Sequence, residues 1–341
     1  MNTFSGFGRV SVWRAIPWVL ALLLPLVIDE VAVGNLAYCL VWAFSALGLA
    51  LMWGHGGILS FGQTAFFGVA GYTFGVITLN FGDTWVSSWG GVFGGLLLSV
   101  LLAFVLGYMI FYGRIRGVFI GILTLSVTLV LETFMAQTAG PKWAIGEARL
   151  NGYNGMSGMP PLSIPWSGDD VFYLEGTSFY YVVVVLLALA YILSRRLLQS
   201  KFGLSLAAVR ENPQRAEMLG IDIRRQQMLV FVAGGALAGM SGVLYTAWGS
   251  YITPSSMGLT SAAMPVIWVA TSGRKSLGGV ILGTTLLVWL SQALAIYGSQ
   301  YALILLGAIL LFVVLAAPQG LGPTLMAYVR NVGAFHRRKP A

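Results

Sequence analysis

A succession of long apolar runs constrains this chain more than any other feature. Ten of them, separated by polar or Gly/Pro punctuation, lie near residues 16–34, 36–53, 61–81, 89–113, 117–138, 179–194, 227–247, 259–272, 276–297 and 301–317. A helix rises 1.5 Å per residue, so about 20 apolar residues cross the hydrocarbon layer of a bilayer. The eighth run is short, which predicts a span that is broken or extended at one end. Only 9% of the 341 residues are charged and 57% are hydrophobic, whereas soluble domains carry roughly 25% charged residues. A soluble fold of this length has no means of hiding that much apolar surface behind so few charges, so lipid is the solvent for most of the protein. The pattern predicts an all-α, polytopic transmembrane helical bundle of about ten spans forming a single domain over residues 1–341.

The basic residues give an independent check on the segmentation. With the N-terminus in the cytoplasm and ten alternating spans, both termini are cytoplasmic. Of the 19 Lys and Arg residues, only Lys142 and Arg149 then fall outside. The other 17 sit on the cytoplasmic flank, as the positive-inside rule demands, and miscounting one span in the first half destroys the asymmetry. The net charge of +8 is thereby explained without a nucleic-acid partner.

Catalytic and metal-binding patterns are missing from the sequence. Cys39 is the single cysteine and lies in an apolar run, so it reads as a small buried side chain. There are two histidines, His55 and His336, with no Cys/His/acid cluster, no G-x-S-x-G and no H-E-x-x-H. The phosphate-cradling G-x-x-x-x-G-K-[ST] is also absent, so the chain is expected to hydrolyse no ATP itself and to need no cofactor or metal. Near the N-terminus, Arg9 and Arg14 precede the apolar run from Ile16 to Ile28, an arrangement like a signal peptide. Asp29 and Glu30 stand where a cleavage site needs small residues, so a retained first helix is expected.

Two segments outside the spans are long. Residues 139–178, with Asn151-Gly-Tyr-Asn-Gly-Met-Ser-Gly and Pro160, Pro161 and Pro165, read as an irregular periplasmic loop. Residues 195–226 are cytoplasmic, basic and helix-prone. Five spans precede the periplasmic loop and five follow it, which suggests inverted halves, although no residue match between them supports the idea.

Within the spans, glycines recur at four-residue spacing, as in Gly71/Gly75, Gly91/Gly95 and Gly235/Gly239. Small residues let helices approach closely in lipid, and they equally make smooth walls along a solute path. In Trp53-Gly-His-Gly-Gly-Ile-Leu-Ser-Phe-Gly-Gln-Thr, three glycines in four residues are expected to break the helix, with His55, Ser60, Gln63 and Thr64 beside the break. Non-helical backbone at membrane depth needs protein or a watered cavity against it. These residues either line a passage or form a turn in which His55 packs or caps. Glu132 is the one acidic residue well inside a span, about 22 Å along its helix from Gly117 by the helical rise. A charge at the bilayer centre costs about 2.5–3.5 kcal/mol on the insertion scale, so Glu132 either lines a path or serves a structural pairing.

The cytoplasmic stretch from Lys201 to Ile221 contains a short helix bounded by recognisable signals. Asn212 suits the N-cap, Pro213 the first helical position and Gly220 the C-terminal stop. A helix of about seven residues held between two spans is suited to docking in a partner's groove; the alternative is a solvated connector.

At this point the chain resembles the branched-chain amino acid ABC-transporter permease family, which includes urea and short-amide permeases. The likeness is carried by residues Ala46–Tyr72 around the Gly-rich turn, by Arg116-Gly-Val-Phe-Ile-Gly-Ile-Leu-Thr-Leu with the Asn-Gly-Met-Ser-Gly-Met-Pro loop after it, by Gly203–Gly220, and by Val266–Gly283 with Ala317-Pro-Gln-Gly-Leu. Thr271-Ser272 stand where the family usually has a Gly-rich turn. The resemblance implies an importer of the bacterial inner membrane for branched-chain or related amino acids, with urea or a short-chain amide as the alternative. It implies two cytoplasmic ATP-binding subunits, a second homologous permease subunit and a periplasmic substrate-binding protein as partners. By the same analogy Arg210, Glu211, Asn212, Ala216 and Gly220 lie at the ATPase contact, and the 139–178 loop helps receive the binding protein. An ion-coupled secondary transporter is the rival reading, but it normally needs several intramembrane ionisable groups, and only Glu132 qualifies.

Overall fold

The computed structural model describes residues 12–166 and 171–295, together with scattered positions between 298 and 312. The expected tenth span and both terminal segments lie largely outside these residues. Eleven helices are described. In chain order they are α1 (Val12–Leu23), α2 (Glu30–Leu49), α3 (Gln63–Phe81), α4 (Trp85–Tyr112), α5 (Val118–Ala136), α6 (Gly176–Gln199), α7 (Lys201–Glu211), α8 (Pro213–Met218), α9 (Ile223–Gly249), α10 (Leu259–Ser272) and α11 (Leu277–Ala295). Seven of the described helices are long and apolar enough to cross a membrane, α2 counting with its extension to His55. α10 is shorter, as its apolar run predicts.

The first two spans differ from expectation. The run at 16–34 is not one helix: α1 stops at Leu23, a 3-10 turn follows over Leu24–Leu26, and Asp29 starts α2 by accepting a hydrogen bond from the Ala32 amide at 3.2 Å. The acidic pair that separates the helices is therefore an N-cap and first-turn residue, which suits the positive end of a helix. α2 then runs through Gly34-Asn35 without interruption.

α2, α3 and α9 form the centre and α4, α5, α6 and α11 surround it. The apolar window of α2 is 83% buried and that of α5 only 22%. The centre is tight because small residues face backbone: a Cβ on Gly242 of α9 would overlap the Phe67 carbonyl of α3. Hydroxyls add hydrogen bonds across the same contacts, with Ser241 Oγ donating to the Val41 carbonyl at 2.8 Å and Ser99 Oγ to the Gly235 carbonyl at 3.0 Å. Packing is thus the demonstrated role of Gly235 and Gly239, which sit against Ala103 and Ser99 of α4.

The long segment after α5 is more ordered than the predicted irregular loop. Short antiparallel pairings join β1 (Ala144–Ile145) to β2 (Ala148–Arg149) and β4 (Ser163–Pro165) to β5 (Val171–Tyr173). A third joins β3 (Met156–Ser157) to β6 (Tyr251–Ile252), just after α9. Asn80 at the end of α3 holds the first hairpin, donating to the Ile145 carbonyl and accepting from the Glu147 amide. Trp89 Nε1 donates to the Ser163 carbonyl. All these contacts lie at one end of the bundle. The other end gathers the turn at residues 53–57 with Arg210, Arg274 and Lys275, and Arg224 lies 6.0 Å from the Tyr112 ring.

Candidate functional site

Two features of the bundle bear on function: a polar interruption between α2 and α3, and the α7–α8 segment packed beneath it. α2 widens into a π-helical turn over Ala50–His55, so the helix passes through Gly54 before it ends, one turn further than the glycines alone suggest. Residues 56–62 carry the chain into α3 without regular structure. Such π-turns commonly sit at functional positions.

The side chains picked out by the sequence meet here, save one. Ser60, Gln63 and Thr64 are fully buried. Ser60 Oγ accepts from the Gly62 amide, and Gln63 Nε2 lies 3.3 Å from Met52 Sδ. Gln63 Oε1, Thr64 Oγ1 and His55 Nε2 are buried without a hydrogen-bond partner among the described residues, as is Ser45 Oγ in α2. Glu132 stands apart. It is half-buried on α5, with Oε1 close to Gly258, the residue that begins α10. A carboxylate there meets the positive end of the α10 dipole.

Toward the end that carries the β pairings, an aromatic cluster that the sequence reading missed fills the space between α2, α3, α9 and α10. Trp42 stacks on Phe67 at 4.7 Å and 8°, with Tyr245 at 5.5 Å and Trp268 at 5.6 Å. Its members lie far apart in sequence, so no local pattern announces it.

Beneath the break, α8 forms as its capping residues predict. Asn212 Oδ1 accepts from the Arg215 amide at 3.0 Å, Pro213 opens the helix, and Gly220 takes φ +80° at its end. Glu211 is exposed and its carboxylate is held below the usual range by hydrogen bonds from the Arg210 guanidinium, helped by the charge of Lys275. Ala216 is buried against the bundle, whereas Met218 and Leu219 are 87% and 78% exposed. Met218 and Leu219 thus put two adjacent large apolar side chains at the exposed end of the capped helix. Reading α8 by its caps alone overlooks them; asking which of its residues face away from Ala216 finds them.

Seven described helices long and apolar enough to cross a bilayer, packed around a polar helix break, define a multi-pass membrane protein. A family profile described as branched-chain amino acid transport system, permease component, matches residues 31–314. The chain belongs to that family and is a transport component. It is 27% identical over 324 residues to the high-affinity branched-chain amino acid transport system permease protein LivM of Escherichia coli, covering 89% of this chain and 73% of that one. A probable branched-chain amino acid transport permease protein LivM of Methanocaldococcus jannaschii is 28% identical over 188 residues, 51% of this chain and 53% of its own. A nucleoside ABC transporter permease protein of Lactococcus lactis is 28% identical over 165 residues, 46% and 47% of the two chains. No solved structure matches.

Proposed function

We propose that this protein imports branched-chain or related amino acids across the bacterial inner membrane as a permease subunit of an ATP-binding-cassette importer. It works beside a second homologous permease subunit, two cytoplasmic ATP-binding subunits and a periplasmic substrate-binding protein. The observation that carries the reading is α8 with Met218 and Leu219 exposed at its tip, in a chain that belongs to the permease family. A short capped helix with an apolar tip fits an apolar groove on a partner. In the docked state Glu211, Asn212 and Gly220 flank the apolar contact, while Arg210 and Ala216 act from the side that faces the bundle.

On this reading the end with the basic residues is cytoplasmic, the chain crosses about ten times, and both termini are inside. The 139–178 segment receives the binding protein. Ser60, Gln63, Thr64 and His55 line the passage, and Glu132 lies at its outer part. Buried polar groups without protein partners support that role, because a polar solute or water satisfies them during passage.

The test is uptake into proteoliposomes holding the permease pair and its ATPases, with binding protein added outside and ATP enclosed. ATP-dependent leucine uptake that survives a protonophore and is outcompeted by isoleucine and valine, but not by urea, acetamide or a nucleoside, is expected. Uptake driven by an ion gradient without ATP overturns the reading.

A further inference from the structure

Arg210 reaches back into the bundle. Its side chain is 22% exposed, and Nη1 donates to the Gly54 carbonyl at 2.8 Å across 156 positions of sequence. That carbonyl belongs to the last turn of the π-helical segment. Three earlier carbonyls of the segment have local donors: Leu51 from the Gly56 amide, Met52 from the Ile58 amide and Trp53 from the Gly57 amide. Gly54 has no such donor, so Arg210 completes the helix end, bringing a cation to the negative pole of the α2 dipole. Its Cγ also lies against Gly57.

A second segment holds the same turn. A Cβ on Gly54 would collide with the Arg274 carbonyl in the turn between α10 and α11, and the Arg274 guanidinium lies 5.5 Å from the centre of the Trp53 ring. The end of α2 is therefore gripped by α7 and by the α10–α11 turn. It leads within a few residues to Ser60, Gln63 and Thr64.

We infer that Arg210 is a positioning residue for transport: its bond to Gly54 transmits displacement of the α7–α8 segment to the end of α2, and thus to the polar groups at the start of α3. The inference rests on the import reading given above. Arg210 lies in the last turn of α7, separated from α8 by Glu211 and Asn212, and Glu211 orients it by accepting from Nε at 3.1 Å and Nη2 at 2.6 Å. A rigid, forked guanidinium holds a carboxylate and a carbonyl at once, which an ammonium on a flexible stem does poorly.

The experiment compares Arg210→Ala and Arg210→Lys with the unaltered chain in the complete assembly with ATPases and binding protein. ATPase co-purification, ATP hydrolysis with and without loaded binding protein, and uptake are measured together. Arg210→Ala is expected to keep its ATPases and lose about tenfold in uptake, with stimulation by loaded binding protein falling in step. Arg210→Lys, which keeps one donor, recovers part of both. Hydrogen exchange over residues 50–58 rises in Arg210→Ala. Loss of ATPases from both variants makes Arg210 a docking residue and overturns the inference, as does full uptake by Arg210→Ala. Should Arg210→Ala fail to fold, Arg210→Lys decides: uptake equal to that of the unaltered chain counts against the link, and reduced stimulation with retained ATPases supports it. If the unaltered assembly shows no ATP-driven uptake, the import reading fails instead.

Discussion

Met156 and Ile252 face each other in a two-residue antiparallel pairing that fastens the long segment after α5 to the end of α9. The Gly158 amide donates to the Ser250 carbonyl at 3.0 Å and extends the contact. Gly155 enters the pairing at φ +74° and ψ −178°, where a Cβ would run into the Ile252 carbonyl. That backbone region is essentially reserved for glycine.

Gly155→Val is therefore expected to destabilise the fold by about 1–3 kcal/mol and to free the segment. Thermal unfolding in detergent should show a lower midpoint, and limited proteolysis should cut faster within residues 139–166. An unchanged midpoint with an unchanged digestion pattern would show that the pairing is dispensable.

The exposed apolar tip of α8 gives a prediction about partners. Met218→Glu with Leu219→Glu adds charge where an apolar groove is proposed to close, while both positions face outward and leave the fold unstrained. ATPase co-purification should fall by about tenfold or more, since burying an unpaired charge costs several kcal/mol, with the melting midpoint unchanged. Asn212→Ala removes the α8 cap, worth about 1 kcal/mol, and should weaken the same association by a smaller factor. Retention of the ATPases by the double variant would dismiss α8 as the docking element.

How legible these features are in the sequence depends on whether their causes are local. The Asn212–Gly220 helix is readable because caps, proline and a stop glycine act within a single turn. The division of basic residues between the two sides is readable in the sequence because bilayer electrostatics act on each segment separately. By contrast, the Asp29 cap looks like a mere polar gap, because apolar runs on both sides hide where one helix stops. Two-residue strands such as Met156–Ser157 carry no periodicity to detect. The bond from Arg210 to Gly54 and the stack of Trp42 on Phe67 arise only when distant segments pack, so the roles of those residues are not written in their neighbours.

The polar groups at the break can be separated from mere packing by opposing readouts. Thr64→Val and Gln63→Met nearly keep volume and remove Thr64 Oγ1 and Gln63 Oε1, atoms with no partner among the described residues, along with the weak contact of Gln63 Nε2 to Met52 Sδ. An unsatisfied buried polar group costs about 1–3 kcal/mol, part of which an apolar isostere recovers. The melting midpoint should hold or rise, while uptake falls about fivefold or more. A variant that melts early yet transports normally would assign these side chains to structure alone.

Orientation is testable with unusual cleanness because Cys39 is the sole cysteine of the chain and is fully buried in α2. A membrane-impermeant maleimide therefore reads only a cysteine introduced elsewhere. Met218→Cys and Tyr153→Cys occupy opposite ends of the bundle at positions 87% and 82% exposed. In intact cells Tyr153→Cys should react and Met218→Cys should not; in inside-out vesicles the pattern should reverse. The logic is electrostatic. The end carrying Arg210, Arg224, Arg274 and Lys275 is expected to stay in the cytoplasm, because the positive-inside rule disfavours moving basic residues outward and only Lys142 and Arg149 sit in the segment at the other end. Reaction of Met218→Cys from outside in intact cells would place α8 beyond the reach of any cytoplasmic ATPase, and with it would go both the docking role of α8 and the link through Arg210.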